Sequence, residues 1–394
     1  MPYRTSALRS FPLALGALPL LLSAGATAET VFESRHHKLQ VETVANGLEH
    51  PWAIALLPDG RFLVTERNSG RLRLGGESGT LSDAVEGVPE IFRHPGETGR
   101  SQGGLFDVKL HPDFAENGLI YLSYSKPTER GTGVAVARGR LAATDGAPRL
   151  EDVEDIFVMK EDDQDSSGLH FGGRMAIDPD GRHLFLSIGE RRNISRAQDN
   201  EDQAGSILRL DLDGGTPSDN PFASEDVTGD PAIWSYGHRN PQGLGFEPAT
   251  GALWANEHGP LRGDEINRIE PGNNYGWPYI TGGRDYSGAA IGEGTEREGM
   301  TSAVHIFEET VAPSGLAFYH GDLFPQWQGD MLNGGLAAKA LVRVRLEGGS
   351  VVEEEHLLAD FGRRIRDVQV ASDGAIWMVT DHSDGEVLRL VTAD

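Results

Sequence analysis

Cysteine is absent from this 394-residue sequence, so disulfide bonds and thiolate metal sites are excluded. Basic residues are scarce, because 35 lysines and arginines stand against 60 aspartates and glutamates. The resulting formal net charge of −25 repels a polyanion, and we therefore expect no nucleic-acid partner. The Walker A loop, the H-E-x-x-H motif and the nucleophile elbow are also missing, which argues against the chemistries that depend on them.

Glycine is abundant, with 51 residues of 394, although its usual share is roughly 7%. No Gly-X-Y period accompanies it, so a collagen-like chain is excluded. Many tight turns between many short strands would explain this composition better.

Residues 1–28 have the pattern of a cleavable signal peptide. Arg4 and Arg9 form a basic region, residues 11–22 are apolar, and Ala26-Thr27-Ala28 is an A-x-A cleavage site before Glu29. The apolar run is shorter than the roughly 20 residues that cross a bilayer, although an uncleaved anchor is the alternative. We expect cleavage after residue 28 and export of residues 29–394 to the periplasm. No later stretch is apolar enough to predict a membrane helix.

One short pattern recurs six times: apolar residues, a turn containing Pro, Asp or Gly, and then an apolar strand. The copies occupy residues 55–64, 110–122, 177–186, 246–254, 318–332 and 370–379. Six such hairpins predict an all-β fold, a six-bladed β-propeller formed by residues 29–394.

A second element follows most of these hairpins. Apolar residues there alternate with arginine or acidic residues, at 71–74, 207–212, 341–346 and 387–390. This period of two predicts outer strands with one buried face. Residues 39–44 precede the first hairpin and are expected to complete the last blade. The long insertions are expected to line one mouth of the propeller, where ligand-binding groups would collect.

Residues 167–174 (SGLHFGGR) place His170 among glycines just before the third hairpin. Glycines allow the backbone to pass close to a flat ligand, and a neutral imidazole can accept a proton at physiological pH. A histidine that merely stabilises a turn is the alternative.

Two arginine-containing segments could bind an anion. Residues 236–243 (YGHRNPQG) include Arg239 and Asn240, and residues 363–367 (RRIRD) include Arg364 and Arg366. An arginine fork matches a carboxylate, which could belong either to a ligand or to the protein itself. A solvated charged strand is a further alternative for the second segment.

Residues 256–260 (NEHGP), 263–267 (GDEIN) and 272–278 (GNNYGWP) could supply oxygen ligands. Gly259 and Pro260 are predicted to lie in a loop with free carbonyl groups, because proline cannot donate to a sheet ladder. Carbonyl and carboxylate oxygens are the ligands that calcium and magnesium prefer. An ordinary turn rich in Asp, Asn and Gly is the alternative.

The order of these motifs along the chain resembles the soluble, pyrroloquinoline-quinone-dependent aldose sugar dehydrogenases of the glucose/sorbosone dehydrogenase family. The resemblance rests on residues 102–108 (QGGLFDV), 170–174, 237–243, 256–260, 274–278, 312–315 (APSG) and 364–367. It implies a six-bladed propeller with the quinone on one face, and oxidation of aldose sugars at the anomeric carbon to lactones. It also implies an electron acceptor such as a cytochrome or a quinone.

The resemblance implies roles for individual residues. His170 would be the general base, and the carbonyls of Gly259 and Pro260 would bind the calcium that polarises the quinone. Glu265 and the Tyr275 carbonyl resemble ligands of a second, structural calcium. The residues expected to bind the quinone are Gln102, Arg239, Asn240, Tyr286, Arg364, Arg366 and Asp381.

The sequence departs from this family at two positions. Leu169 stands before the base, where better-known glucose dehydrogenases have an acidic residue. Ala337 stands where family members have a cofactor-binding lysine. Either Lys339 substitutes for that lysine, or Arg239, Arg364 and Arg366 suffice; we favour the second interpretation.

Two other functions remain open at the level of the sequence. A calcium-dependent propeller lactonase would share the fold and the metal without needing an arginine-lined quinone site. A non-catalytic propeller that binds carbohydrate or protein is also possible, because fold does not determine function.

Overall fold

The computed structural model describes residues 31–76, 78–92, 101–142 and 147–393, so the predicted signal peptide lies outside the described residues. Within these ranges the strands form six antiparallel sheets, each one a blade. The predicted all-β, six-bladed β-propeller is therefore confirmed.

The strands in the first half of the chain supply three complete blades and an N-terminal pair. That pair is β1 (Val31–Glu33) and β2 (Lys38–Leu48). Blade one contains β3 (Pro51–Leu56), β4 (Phe62–Glu66), β5 (Arg71–Gly75) and β6 (Leu81–Ala84). Blade two contains β7 (Leu105–Leu110), β8 (Leu119–Thr128), β9 (Gly131–Ala142) and β10 (Arg149–Val158). Blade three contains β11 (Met175–Ile177), β12 (His183–Ile188), β13 (Ser206–Asp211) and β14 (Ile233–Tyr236).

The remaining strands supply the other three blades. Blade four contains β15 (Pro241–Phe246), β16 (Leu253–Glu257), β17 (Glu265–Ile269) and β18 (His305–Ile306). Blade five contains β19 (Pro313–Phe318), β20 (Met331–Gly335), β21 (Ala340–Glu347) and β22 (Ser350–Leu357). Blade six contains β23 (Ile365–Val370), β24 (Ile376–Thr380) and β25 (Gly385–Thr392), together with β2 and β1.

Helices are few and short in the described ranges. The α-helix α1 spans Phe114–Asn117, and 3₁₀ turns occur at Glu161–Asp163, Arg196–Gln198, Pro325–Trp327 and Ala359–Phe361. None of the helices in the described ranges is long and apolar enough to cross a membrane.

Strand β2 closes the ring by pairing with the C-terminal strand β25. Val41 lies opposite Leu390 in this antiparallel ladder. The expectation that residues 39–44 complete the last blade is confirmed. This closure pairs strand edges that would otherwise be exposed.

Each of the six recurring patterns forms the connection between the first and second strands of its blade. The arginine-containing segments form β5, β13, β21 and β25, which are third strands in their blades. The expectation that these strands bury only one face is wrong for β13 and β21. Arg209 and Arg343 are buried there and pair with Asp219 and Asp330. Each blade packs between two neighbours, so a third strand can be covered on both faces.

Connections at one mouth of the propeller surround the sequence motifs. The segments 159–174, 189–205 and 258–264 all reach this mouth, as does the start of each first strand. The segment 212–232 joins the third strand to the fourth at the opposite end of blade three. The insertions are thus mostly, but not all, at one mouth.

Candidate active site

The mouth at which the first strands begin contains a cavity of about 330 Å³. Residues near the start of the first strands and residues that follow the second strands form much of its wall. Phe171 and Gly172, the two residues after His170, also line it. The predicted cofactor-binding residues that line this cavity are Gln102, Asn240, Arg364, Arg366 and Asp381.

His170 lies in the connection that leads into β11, and it is only 5% exposed. Its φ of +47° lies in the left-handed region, which residues other than glycine seldom adopt. The N–H of His170 donates to Oε1 of Gln102 at 2.7 Å. Close packing continues at Gly172, where an added Cβ would lie 2.6 Å from the carbonyl oxygen of Ser187. These contacts fix the backbone that joins His170 to Phe171 and Gly172; the last two line the cavity, whereas His170 itself is not among the lining residues.

Nδ1 of His170 lies 2.6 Å from Oε2 of Glu190. Since a carboxylate can only accept, Nδ1 carries the proton and Nε2 keeps its lone pair. Burial lowers the pKa of His170 below its ordinary value of 6.5, although Glu190 opposes this effect. The imidazole is therefore neutral near pH 7, and Nε2 can act as a base.

Arg191 supports the segment that carries His170. Its Nη1 donates to the carbonyl oxygen of Leu169 at 2.7 Å, and its guanidinium lies 3.7 Å above the ring of Phe171. An ion pair with Asp165 at 3.3 Å balances its charge. Although Leu169 is not acidic, Glu190 and Arg191 give this segment polar contacts.

Two predicted arginines and one predicted aspartate form a cluster in the cavity wall. Oδ2 of Asp381 accepts from Arg366 at 2.8 Å and from Arg364 at 3.2 Å, and its Oδ1 lies 2.8 Å from Nδ1 of His50. Burial raises the pKa of Asp381, but Arg366 and then His50 hold it well below its ordinary value. The carboxylate therefore stays ionised and fixes both guanidinium groups.

Arg366 has unused hydrogen-bonding capacity. Burial lowers its pKa to about 10, so it still carries a charge at neutral pH. Its Nη1 bonds to Gln242 at 3.2 Å and to Ser314 at 3.3 Å. Its buried Nε has no hydrogen-bond partner among the described residues. A buried donor without a partner is costly, and an anionic ligand would satisfy it.

Arg239 and Asn240 connect the base to the predicted calcium loop. The carbonyl of Arg239 accepts from the N–H of Glu190 at 2.9 Å. Its Nη1 donates to the carbonyl oxygens of His258 at 2.9 Å and of Gly259 at 2.8 Å. Oδ1 of Asn240 lies 3.3 Å from the N–H of Gly172. Arg239 thus contacts the predicted calcium loop, whereas Asn240 lines the cavity.

The loop at Gly259 and Pro260, where the sequence predicts a calcium site, contacts the guanidinium group of Arg239. The carbonyls of His258 and Gly259 already hold a guanidinium group, so their oxygens converge on positive charge. Asp264 fixes this loop by accepting a hydrogen bond from the N–H of Gly259 at 2.9 Å. No group of three or more His, Cys, Asp or Glu side chains suitable for a metal occurs in the described ranges. Carbonyl oxygens would therefore have to supply much of a calcium site.

Glu265, a predicted structural calcium ligand, lies opposite Glu257 on the neighbouring strand. Burial, reinforced by the Glu257 carboxylate, raises the pKa of Glu265 well above its ordinary value. The buried Oδ1 of Asn267 nearby in sequence has no partner in the described structure. Tyr275 stacks its ring on His238 with centroids 4.7 Å apart. Two facing carboxylates would be stabilised by a cation between them.

Of the predicted cofactor-binding residues, Arg239 and Tyr286 do not line the cavity. Tyr286 is 60% exposed, and its ring lies 5.7 Å from Cζ of Arg192. Ala337 and Lys339 are exposed in the turn between β20 and β21, although Leu336 beside them lines the cavity. The structure therefore does not bring Tyr286 or Lys339 together with the arginine cluster.

Sequence reasoning missed several residues of this site. Gln242 and His258 belonged to recognised motifs but received no role, whereas His50, Arg67 and Glu190 belonged to no recognised motif. Burial lowers the pKa of His258 to about 3, so it is neutral. The positions of these missed residues depend on strand pairing and on blade packing, which no local sequence signal reports.

Comparisons with known proteins agree with this geometry. Residues 48–389 match the family model for glucose/sorbosone dehydrogenase. The chain is 42% identical over 356 residues to the aldose sugar dehydrogenase YliI of Escherichia coli K12, covering 89% of this chain and 92% of that protein. It is 32% identical over 282 residues to quinoprotein glucose dehydrogenase B of Acinetobacter calcoaceticus, covering 66% and 56% of the two chains.

A solved structure gives a further comparison. The pyrroloquinoline-quinone-bound aldose sugar dehydrogenase of Streptomyces coelicolor is 28% identical, with a TM-score of 0.73, covering 91% of this chain and 99% of that one. The chain therefore belongs to the glucose/sorbosone dehydrogenase family, which confirms the family and the oxidoreductase class that the ordered motifs predict.

Proposed function

We propose that this protein is a calcium- and pyrroloquinoline-quinone-dependent dehydrogenase that oxidises aldose sugars at the anomeric carbon to lactones. The observation that carries the proposal is an arginine-rich cavity beside a buried histidine–glutamate pair. The Streptomyces relative, whose structure contains the quinone, and the E. coli relative, an aldose sugar dehydrogenase, support the same conclusion.

The cavity suits the quinone because that cofactor carries three carboxylates. Arg364 and Arg366 offer planar forks that match carboxylate geometry, and the unpartnered Nε of Arg366 supplies a further donor. Gln102 and Asn240 add neutral polar groups to the wall. In a chain whose net charge is −25, these cations are expected to serve an anionic ligand.

When bound, the quinone supplies the hydride acceptor, and calcium polarises its oxygens. His170 takes the proton of the anomeric hydroxyl on Nε2, while the hydrogen on the anomeric carbon leaves as hydride. The carbon is thereby oxidised by two electrons to the lactone carbonyl. Glu190 stabilises the imidazolium that forms, because its carboxylate bonds to Nδ1.

Calcium would be held by the loop at Gly259 and Pro260, and a structural calcium by Glu265 and Tyr275. The convergent carbonyls at His258 and Gly259 support the first site. The facing carboxylates of Glu257 and Glu265 support the second. Both sets are oxygen donors, as calcium requires.

Reconstitution tests the proposal. Purified protein freed of metal and quinone should oxidise a panel of aldoses, with a dye as acceptor, only when both calcium and quinone are added. Aldose oxidation by protein shown to lack quinone would refute it. Lactone hydrolysis without quinone would instead support the lactonase alternative, and sugar binding without either reaction would support a binding propeller.

The site of action and the electron acceptor are also proposals. The leader at residues 1–28 favours a periplasmic enzyme, and mass determination of the protein isolated from its host tests cleavage after residue 28. The physiological acceptor is proposed to be a cytochrome or a quinone. Rapid mixing of sugar-reduced enzyme with each candidate distinguishes the two.

A further inference from the structure

One position recurs around the mouth of the propeller, namely the residue immediately after the second strand of a blade. In blades one, four, five and six this residue lines the cavity: Arg67, His258, Leu336 and Asp381. Arg67 is the member of this set that follows β4. No motif in the sequence pointed to it.

The backbone of Arg67 is fixed from two sides. Its N–H donates to the carbonyl of His50 at 3.1 Å, and its carbonyl accepts from the N–H of Leu105 at 3.1 Å. Gly104 packs directly against it, because an added Cβ there would lie 2.5 Å from Cγ of Arg67. Gly104 therefore leaves room for the aliphatic part of the Arg67 side chain.

Arg67 makes no direct ion pair within the described structure. Its Nε donates to the neutral Oδ1 of Asn68 at 3.0 Å, and no carboxylate of the described residues forms an ion pair with it. The ionised carboxylate in the cavity lining, Asp381, already contacts His50, Arg364 and Arg366. Among the described lining residues there are thus three arginines, one acidic residue and no lysine.

The electrostatic effect of Arg67 reaches the other charged groups. Burial raises the pKa of Asp381, but Arg366 foremost, then His50 and Arg67, hold it low. Arg67 also helps to lower the pKa of Arg366, after the larger effect of burial. Uncompensated positive charge of this kind favours a ligand with several negative groups.

We propose that Arg67 is a further cofactor-binding residue, which forms an ion pair with a carboxylate of the quinone in addition to those made by Arg364 and Arg366. The inference rests on the proposed function. It places in blade one a cation that family members are expected to carry in blade five, at the position of Ala337. Lys339, in the exposed turn of blade five, is then not needed.

Quinone binding tests this role directly. Calcium-loaded protein freed of quinone is titrated with pyrroloquinoline quinone, and binding is followed by calorimetry. Arg67→Gln should weaken binding by about 10- to 100-fold, the range of a charge-assisted hydrogen bond. Arg67→Lys, which keeps the charge but loses the fork, should weaken it by less.

Arg61→Gln is the matched control. Arg61 belongs to the same blade, at the opposite mouth, where it pairs with Asp59 in an exposed turn. This substitution removes the same charge from the chain, so its dissociation constant should stay within about twofold of wild type because distant exposed charges are screened. Equal losses in both variants would show a long-range charge effect and overturn the inference.

The trimethyl ester of the quinone distinguishes the contact from other roles of Arg67. Wild type and Arg67→Gln should differ little in their affinity for the ester, since its carboxylates carry no charge. An unchanged affinity of Arg67→Gln for the free acid, or a raised KM for aldose alone, would overturn the inference. Failure of wild type to bind the quinone would instead refute the proposed function.

Discussion

The imidazole of His170 and the carboxylate of Glu190 meet at 2.6 Å although 20 residues separate them in sequence. The first two strands of blade three lie between them. Oε2 of Glu190 also accepts from the N–H of Arg192 at 2.6 Å, which fixes its orientation. His170 and its partner Glu190 are therefore both held by the backbone of one blade.

Replacing the base should abolish most of the turnover without unfolding the protein. His170→Ala is expected to lower kcat by about 10²–10⁴-fold, the usual contribution of a general base. Quinone affinity, measured by titration, should remain close to wild type. His356→Ala serves as the control, because His356 lies on the outer strand β22 and pairs with Glu354. A His170→Ala enzyme that kept more than about a tenth of wild-type kcat would exclude His170 as the base.

The pH profile should report the environment of His170. Burial lowers its pKa, and the base must be neutral, so kcat/KM should fall on acidification only below pH 6.5. Glu190 raises that pKa, so Glu190→Gln should move the acidic limb to lower pH. Its kcat should fall by about tenfold or more, since a hydrogen bond to a charged group contributes about 1.5–3 kcal/mol. A limb that moved to higher pH would contradict this pairing.

Calcium binding should depend on the backbone of the loop at Gly259. In Gly259→Ala the new Cβ would lie 2.1 Å from the carbonyl oxygen of Arg262, so the loop must shift. Calcium should raise the Tm of the quinone-free wild-type protein, and the variant should show a smaller rise. Gly251→Ala is a comparison in the same blade, since an added Cβ there meets nothing within 4 Å, although its φ of +71° adds some strain. An equal calcium response in wild type and Gly259→Ala would argue against this metal site.

The turn between β20 and β21 should accept a new cation. Ala337→Lys is expected to tighten quinone binding by about 1 kcal/mol or more, because Ala337 adjoins Leu336 in the cavity wall and a charge-assisted hydrogen bond has that scale. Lys339→Ala should change the affinity little, since Lys339 does not line the cavity. Titration of both variants at fixed calcium decides the question. A large loss of affinity in Lys339→Ala would mean that Lys339 reaches the quinone.

The stability of blade five should depend on one buried arginine. Arg343 is 0% exposed and pairs with Asp330, Glu353 and Glu355. Arg343→Met should lower the free energy of unfolding by about 3–5 kcal/mol, because it removes the buried cation shared by three carboxylates. Arg345→Met, which removes a more exposed partner of Asp330, should cost about 1 kcal/mol or less. Urea unfolding curves of the two variants compare the losses, and equal losses would contradict this assignment.

The fold was predictable from local sequence because a propeller is a repeat. Each connection between first and second strands carries its own turn residues and apolar flanks, so six copies appear without any knowledge of tertiary contacts. Ring closure by residues 39–44 was also foreseeable, since a repeated sheet must pair its first strand with its last. The burial of Arg209 and Arg343 was not foreseeable, because alternation does not reveal what covers the second face.

Some residues of the candidate site could be identified from the sequence, whereas others could not. Gln102, Asn240, Arg364 and Arg366 stand in recognisable motifs, so their place in one cavity could be expected from the sequence. Glu190 and Arg67 could not be identified in this way, since they belong to no recognised motif. The hairpin of blade three brings Glu190 to His170, and the packing of blade one against blade six brings Arg67 to Arg366 and Asp381. The sequence determined the repeats and the kinds of chemical group that this protein carries. The tertiary structure decided which carboxylate pairs with His170 and which arginines share the cavity, because the first depends on the geometry of one hairpin and the second on distances between blades.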